Sequence, residues 1–179
     1  ALEAGMTPKS QVTDAPIDIN GWKPRNFDGK YQGIIPMGHA LAHSVNSAAV
    51  RIAQSVGIKR IADTASRLGI PGHINLHPSL ALGTHDVRLI DLTAAYAVFA
   101  NGGYAIWPYG ITEIRDQKGT ILYQRQSSKL QKIVELEHVS AMNSMLASVL
   151  NHGTGRSAKL KRPAAGKTGT SQNYRDAWF

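Results

Sequence analysis

Lys167-Thr168-Gly169-Thr170 puts an ammonium, two hydroxyls and a residue without a side chain on four consecutive positions. On a strand edge this set can receive an extended peptide. The backbone pairs with it, the glycine lets it approach closely, and the cation and hydroxyls can fix a terminal carboxylate. A glycine-rich turn with a surface lysine fits the same residues, and on this segment alone the two readings stand level. Ser44-Val45-Asn46 is the second set. A hydroxyl and an amide two residues apart can relay a proton and hold a substrate amide. On a regular helix such residues point in different directions, so both face one cleft only at a helix start or a break. With no other motif present, an ordinary polar helix position is the better reading. Ser171-Gln172-Asn173 repeats the pattern just after a strand, where it reads as a turn former. His39 and His43 have the i, i+4 spacing of two metal ligands on one helix face. The sequence offers no convincing third ligand, so surface histidines and no metal are expected.

Four helices are expected to carry these residues. The first covers 38–56, where Leu41, Val45, Ala48, Ala49, Ile52 and Val56 recur at helical spacing. The second covers 58–68 and ends at Gly69. The third begins near Asp86, with Thr84 as N-cap and Asp86 suiting the helix dipole, and stops at Asn101-Gly102-Gly103. The fourth covers 137–150 with Val139, Met142, Leu146 and Val149 inward. Residues 111–114 and 120–123 read as a hairpin about a turn at 116–119. Residues 6–37, with four prolines, read as a long ordered loop anchored by Trp22, Phe27 and Tyr31. Strands are expected at 164–171 and 177–179, joined by a turn at 172–175. Helices with strands gathered late indicate an α+β fold.

A chain of 179 residues, 42% apolar and 18% charged, suits one folded domain. It has no run of about 18 apolar residues to span a bilayer and no signal-peptide pattern at its start. Residues 2–5 read as the last turn of a helix with a glycine C-cap, so the chain is expected to be part of a longer one. The absence of cysteine excludes disulfides, a Cys-ligated zinc and a Cys nucleophile. Of the net charge of +8, +5 falls in the last 29 residues. Such a cluster suits nucleic acid, an anionic surface, an anionic small substrate or a solvated loop. No aromatic interleaves it before Tyr174 and Trp178, so no nucleic-acid partner is expected.

Ser-x-Asn and Lys-Thr-Gly are two of the three motifs shared by penicillin-binding proteins and serine β-lactamases; the third is Ser-x-x-Lys. The wider sequence resembles class A, bifunctional penicillin-binding proteins from end to end. Ala1-Leu2-Glu3-Ala4-Gly5 with Thr7-Pro8, and Gly21-Trp22-Lys23-Pro24-Arg25-Asn26 with Gly29-Lys30-Tyr31, resemble the segments after that family's nucleophile helix. Ala40-Leu41-Ala42-His43-Ser44-Val45-Asn46 resembles its second motif. Ser79-Leu80-Ala81-Leu82-Gly83, Ala95-Tyr96, Phe99-Ala100-Asn101-Gly102-Gly103, Gly153-Thr154-Gly155, Ala165-Gly166-Lys167-Thr168-Gly169-Thr170 and Asp176-Ala177-Trp178-Phe179 resemble other parts of the family.

The resemblance implies that residues 1–179 are the interior of a transpeptidase domain, an incomplete D,D-transpeptidase or serine β-lactamase-like α+β fold. It implies cross-linking of peptidoglycan by acyl transfer from D-Ala-D-Ala stem peptides, with β-lactams trapping the same serine and no cofactor. By position, Ser44 would relay a proton to the leaving group, Asn46 would hold the substrate amide, and Lys167 would supply positive charge. Thr168 and Thr170 would bind the peptide carboxylate and Gly169 would leave it room. The parent protein would be anchored on the outer face of the bacterial cytoplasmic membrane, in the periplasm, with a glycosyltransferase domain. The departure is that none of the ten lysines has Ser or Thr three positions before it. The nucleophile is therefore expected upstream of residue 1, and this chain alone is expected to be inactive. A non-catalytic binder of cell-wall peptides is the first alternative, and a nucleic-acid-binding module using the basic tail is the second, against which its lack of interleaved aromatics counts. Most of the family's five-stranded sheet lies outside this chain, so strand pairing between copies, or disorder near 160–179, is also expected. Positions 44, 46 and 167 are expected to converge on one groove.

Overall fold

The computed structural model describes residues 1–126, 130–171 and 175–179. The helix expected over 38–56 is two helices, α1 (Met37–Ala42) and α2 (Asn46–Val56). Between them Ser44 has φ 54, the left-handed region where an L side chain is crowded. Val45 returns to extended backbone and serves as the N-cap of α2. The chain thus breaks where a serine and an asparagine two residues apart need it to.

Small residues let these helices pack closely. Ala40 and Ala42 of α1 and Ala48 and Val50 of α2 are buried. Helix α5 (Leu136–Asn151) lies against α1 and adds Met145 to a core shared with Val12, Ile35, Met37 and Val45. Full burial of a valine side chain such as Val149 contributes about 1.5–3 kcal/mol. Helix α3 (Ile58–Arg67) follows α2 through Gly57, whose φ of 91 turns the chain between them.

Helix α4 (Leu89–Ala100) starts later than the sequence suggests, with Arg88 and not Thr84 as N-cap. Residues 78–82 form a short 3-10 turn closed by Gly83, and Ser79 Oγ engages the Thr84 hydroxyl at 2.9 Å. Asp91, not Asp86, occupies the first turn, and Arg88 donates to it at 2.7 and 3.0 Å.

The loop expected over 6–37 contains an antiparallel pair, β1 (Gln11–Asp14) and β2 (Gly33–Pro36), in register from Gln11↔Pro36 to Asp14↔Gly33. Val12 and Asp14 alternate inward, and Ile35, opposite Val12, packs in the same cluster. Its aromatics do not all anchor it. Trp22 meets His77 edge-on at 5.3 Å, but Phe27 is 92% exposed, and Pro24 and Asn26 are buried in its place.

The hairpin is β3 (Glu113–Arg115) with β4 (Ile121–Gln124). Asp116 Oδ1 accepts the Lys118 and Thr120 amides at 2.8 Å and so shapes its turn. The last strands are shorter than expected. β5 (Gly169–Thr170) pairs antiparallel with β6 (Ala177–Trp178). Among the described residues, three two-stranded sheets set among helices make the α+β class. Among the described residues no helix is long and apolar enough to cross a membrane.

Candidate active site

Ser44 and Lys167 are 123 residues apart in sequence, and the fold brings them into contact. Lys167 Nζ donates to Ser44 Oγ and, at 2.8 Å, to the carbonyl oxygen of Thr168. Burial lowers the Lys167 pKa from its usual 10.5, because the ammonium loses water that two oxygens only partly replace. Ser44 reaches the lysine because its left-handed backbone turns it out of the α1 spiral. That conformation costs on the order of 1 kcal/mol and persists only where its surroundings impose it.

Asn46 is the first residue of α2. Its Nδ2 donates to the Arg25 carbonyl at 2.9 Å, which leaves Oδ1 as the acceptor it can offer. Ser47, next along, is fully buried. Its hydroxyl donates to Asp14 Oδ1 at 2.5 Å, and its amide donates to Asn26 Oδ1 at 3.1 Å. Asn26 Nδ2 donates to the same Asp14 oxygen at 2.7 Å, and the Gln32 amide donates to Asp14 Oδ2 at 2.8 Å. Burial pushes the Asp14 carboxyl up. The hydrogen bonds from Ser47, Asn26 and Gln32, with the Arg51 charge, outweigh that and hold it below its usual 3.8. The network ties β1 and the following loop to the start of α2, which sets Asn46 and, one residue before the cap, Ser44.

Lys167 is placed by glycines. A Cβ at Gly153 would stand 2.2 Å from the Ala42 carbonyl oxygen, so only glycine lets this turn seat on the end of α1. The Thr154 amide then donates to that oxygen at 3.0 Å. A Cβ at Gly166 would stand 2.7 Å from Phe179 Cζ. Thr168 Oγ1 lies 2.6 Å from Thr154 Oγ1. Gly169 and Thr170 face Trp178 and Ala177 across β5–β6. The other edge of β5 carries no strand among the described residues.

Ser171 is held by Asp176. Its Oγ accepts the Asp176 amide at 2.8 Å, as a turn former does, while Gln172, Asn173 and Tyr174 lie outside the described residues. His39 and His43 lie at the surface, each partly buried. Their ring centroids are 4.3 Å apart, and His152 joins His43 at 6.1 Å. Burial, then the neighbouring His39 and His152, lower the His43 pKa. Among the described residues no group of three potential ligands could hold a metal. A depression lined by Asn75, His77, Ser79, Leu80, Thr84 and His85 includes none of the expected site residues.

Asp14, Asn26, Ser47 and Thr154 hold the arrangement without having been singled out for it from the sequence. The first three lie 12 and 33 residues apart, beyond any local pattern. Thr154 and Asn26 lie in segments that carry the family resemblance, Gly153-Thr154-Gly155 and residues 21–26, but the resemblance gives neither a role.

The transpeptidase family profile, described as the penicillin binding protein transpeptidase domain, matches residues 1–177. Penicillin-binding protein 1A of Aquifex aeolicus (strain VF5) is 37% identical over 188 residues, covering 100% of this chain and 25% of that protein. Penicillin-binding protein 1A of Neisseria lactamica is 34% identical over 193 residues, covering 100% and 24%. The chain thus spans about a quarter of the length of these curated relatives. The crystal structure of penicillin-binding protein 1A from Haemophilus influenzae superposes with a TM-score of 0.89 at 26% identity, over 97% of this chain and 32% of that one. The PonA1 protein from Mycobacterium tuberculosis in complex with penicillin V shares the fold, with a TM-score of 0.85 at 24% identity over 96% and 50%. With the profile matched over nearly its whole length, the chain belongs to the penicillin binding protein transpeptidase domain family.

Proposed function

We propose that the chain forms one wall of a peptidoglycan D,D-transpeptidase site. The observation that carries this is the hydrogen bond from Lys167 Nζ to Ser44 Oγ, made across the fold by the two motifs whose chemistry is complementary. In the proposed reaction a serine takes the acyl group of a stem peptide, D-alanine leaves, and an amine of a neighbouring strand accepts the acyl group. Ser44, polarised by Lys167, passes a proton to the leaving amine. Asn46 Oδ1 accepts from the substrate amide. Lys167 draws the peptide carboxylate, which Thr168 and Thr170 hydrogen-bond. Gly169 lets the peptide lie along the open edge of β5, and the backbone around Thr170 contributes a donor for the developing oxyanion.

The likeness to penicillin-binding protein 1A extends the proposal to the parent protein. It would be a bifunctional glycosyltransferase and transpeptidase, anchored on the outer face of the cytoplasmic membrane and sensitive to β-lactams. The complex of PonA1 with penicillin V supports the last point.

The site is tested on the chain with a peptide ending in D-Ala-D-Ala. Its titration should perturb the amide resonances of Asn46 and of residues 167–170 first. Shifts confined to other parts of the molecule, or none, would remove the proposal. In parallel, labelled penicillin should form no covalent adduct with this chain, which contains no Ser-x-x-Lys. A stoichiometric adduct found by mass spectrometry would show that another residue is the nucleophile.

A further inference from the structure

The turn at 153–155 is docked through its backbone. The Thr154 amide donates to Ala42 at the end of α1, and the Gly155 amide donates to Val149 of α5, each at 3.0 Å. Neither glycine has room for a side chain without displacing a neighbour. A Cβ at 153 meets the Ala42 carbonyl, and one at 155 stands 3.1 Å from both Val149 Cγ1 and Phe179 Cε2. Between these two closed positions a single hydroxyl is presented, and it meets the hydroxyl of Thr168 at 2.6 Å.

Each hydroxyl has one proton and two acceptor lone pairs. If Thr168 donates to Thr154, its proton is used and it can only accept. If Thr154 donates to Thr168, the Thr168 proton is free to point outward, and the bond it receives makes that proton a better donor. A carboxylate accepts only, so a bound carboxylate selects the second direction. We propose that Thr154 is a positioning residue, which donates to Thr168 and so directs the Thr168 hydroxyl at the terminal carboxylate of the bound peptide. The inference rests on the reading of β5 as a peptide-binding edge and adds to it a residue outside the Lys-Thr-Gly motif.

The test compares two peptides ending in D-Ala-D-Ala, one with a free carboxylate and one amidated, titrated into the chain by NMR. The wild type should bind the acid more tightly. Thr154→Val keeps the shape and removes the hydroxyl, and should weaken the acid by about threefold to tenfold while leaving the amide unchanged. Thr154→Ser should bind as the wild type does. In a Thr168→Val background the same change at 154 should cost nothing further. A loss for both peptides alike, or for neither, overturns the inference and leaves the site reading standing. A wild type that does not prefer the acid overturns the site reading itself. Should Thr154→Val fail to fold, Thr154→Ser against Thr154→Ala makes the same comparison with smaller side chains.

Discussion

Ser44 stands where α1, α2 and β1 bury Asp14, Asn26 and Ser47 among Val12, Val45 and Ala48. Lys167 stands on a segment approached through residues 159–163, all exposed, and followed by a strand of two residues. One wall is fixed by a buried carboxylate with three donors, the other by backbone seated against backbone where glycines permit it. In the first wall a charge stabilises the fold. In the second the charge is a burden on the fold, kept beside Ser44 by the glycine contacts. The lesson is that a polar group's role follows from whether its partners outweigh its desolvation.

The sharpest break of this contrast is at Asp14. Asp14→Ala leaves the Asn26 amide, the Ser47 hydroxyl and the Gln32 amide short of an acceptor, and should lower stability by about 3 kcal/mol in urea unfolding. Lys167→Met in the same assay should be as stable as the wild type or more so, since it removes a desolvated ammonium. Equal losses from the two would erase the distinction.

The glycine contacts come next. Gly153→Ala drives a methyl into the Ala42 carbonyl and should cost about 2 kcal/mol. Gly166→Ala meets only the far edge of the Phe179 ring, which can swing aside, and should cost about 1 kcal/mol or less. The order of the two unfolding midpoints checks this. The reverse order would mean that Phe179, and not the docked turn, holds the lysine side.

The smallest effect is on pH dependence. His43 has a lowered pKa, so between that value and 6.5 the unfolded chain binds more protons. Stability is therefore lost as pH falls through 6.5. Asp14 is also lowered, and its contribution is lost only as pH falls through 3.8. For Lys167 a lowered pKa means that stability rises as pH climbs toward 10.5. Urea midpoints across the pH range should show a shallow acid step below pH 6.5, absent in His43→Gln, ahead of the Asp14 step.

The long apolar repeats were legible. The one behind α5 buries Val139, Leu146 and Val149 as its spacing predicts, and the hairpin turn is the one its Asp116 and Gly119 encode. The two motifs were legible too, including the condition that Ser44 and Asn46 need a helix break. The physical obstacle elsewhere was distance along the chain. β1 is four residues long, buries an aspartate, and pairs with a strand that starts at Gly33. Nothing local marks such a segment as a strand. The Thr84 cap failed because the helix starts only at Leu89, and Thr84 hydrogen-bonds Ser79 in the turn before it; Phe27 was assigned an anchoring role that Pro24 and Asn26 fill.

Helix α1 has six residues, too few to persist unaided in water. The carbonyl of its last residue, Ala42, waits for an amide more than a hundred positions downstream, at Thr154. Seating that carbonyl closes a loop of more than a hundred residues, and the closure costs conformational entropy that the packing of the turn at 153–155 must offset. The shape of the Ser44 motif therefore depends in part on a segment remote from it in sequence.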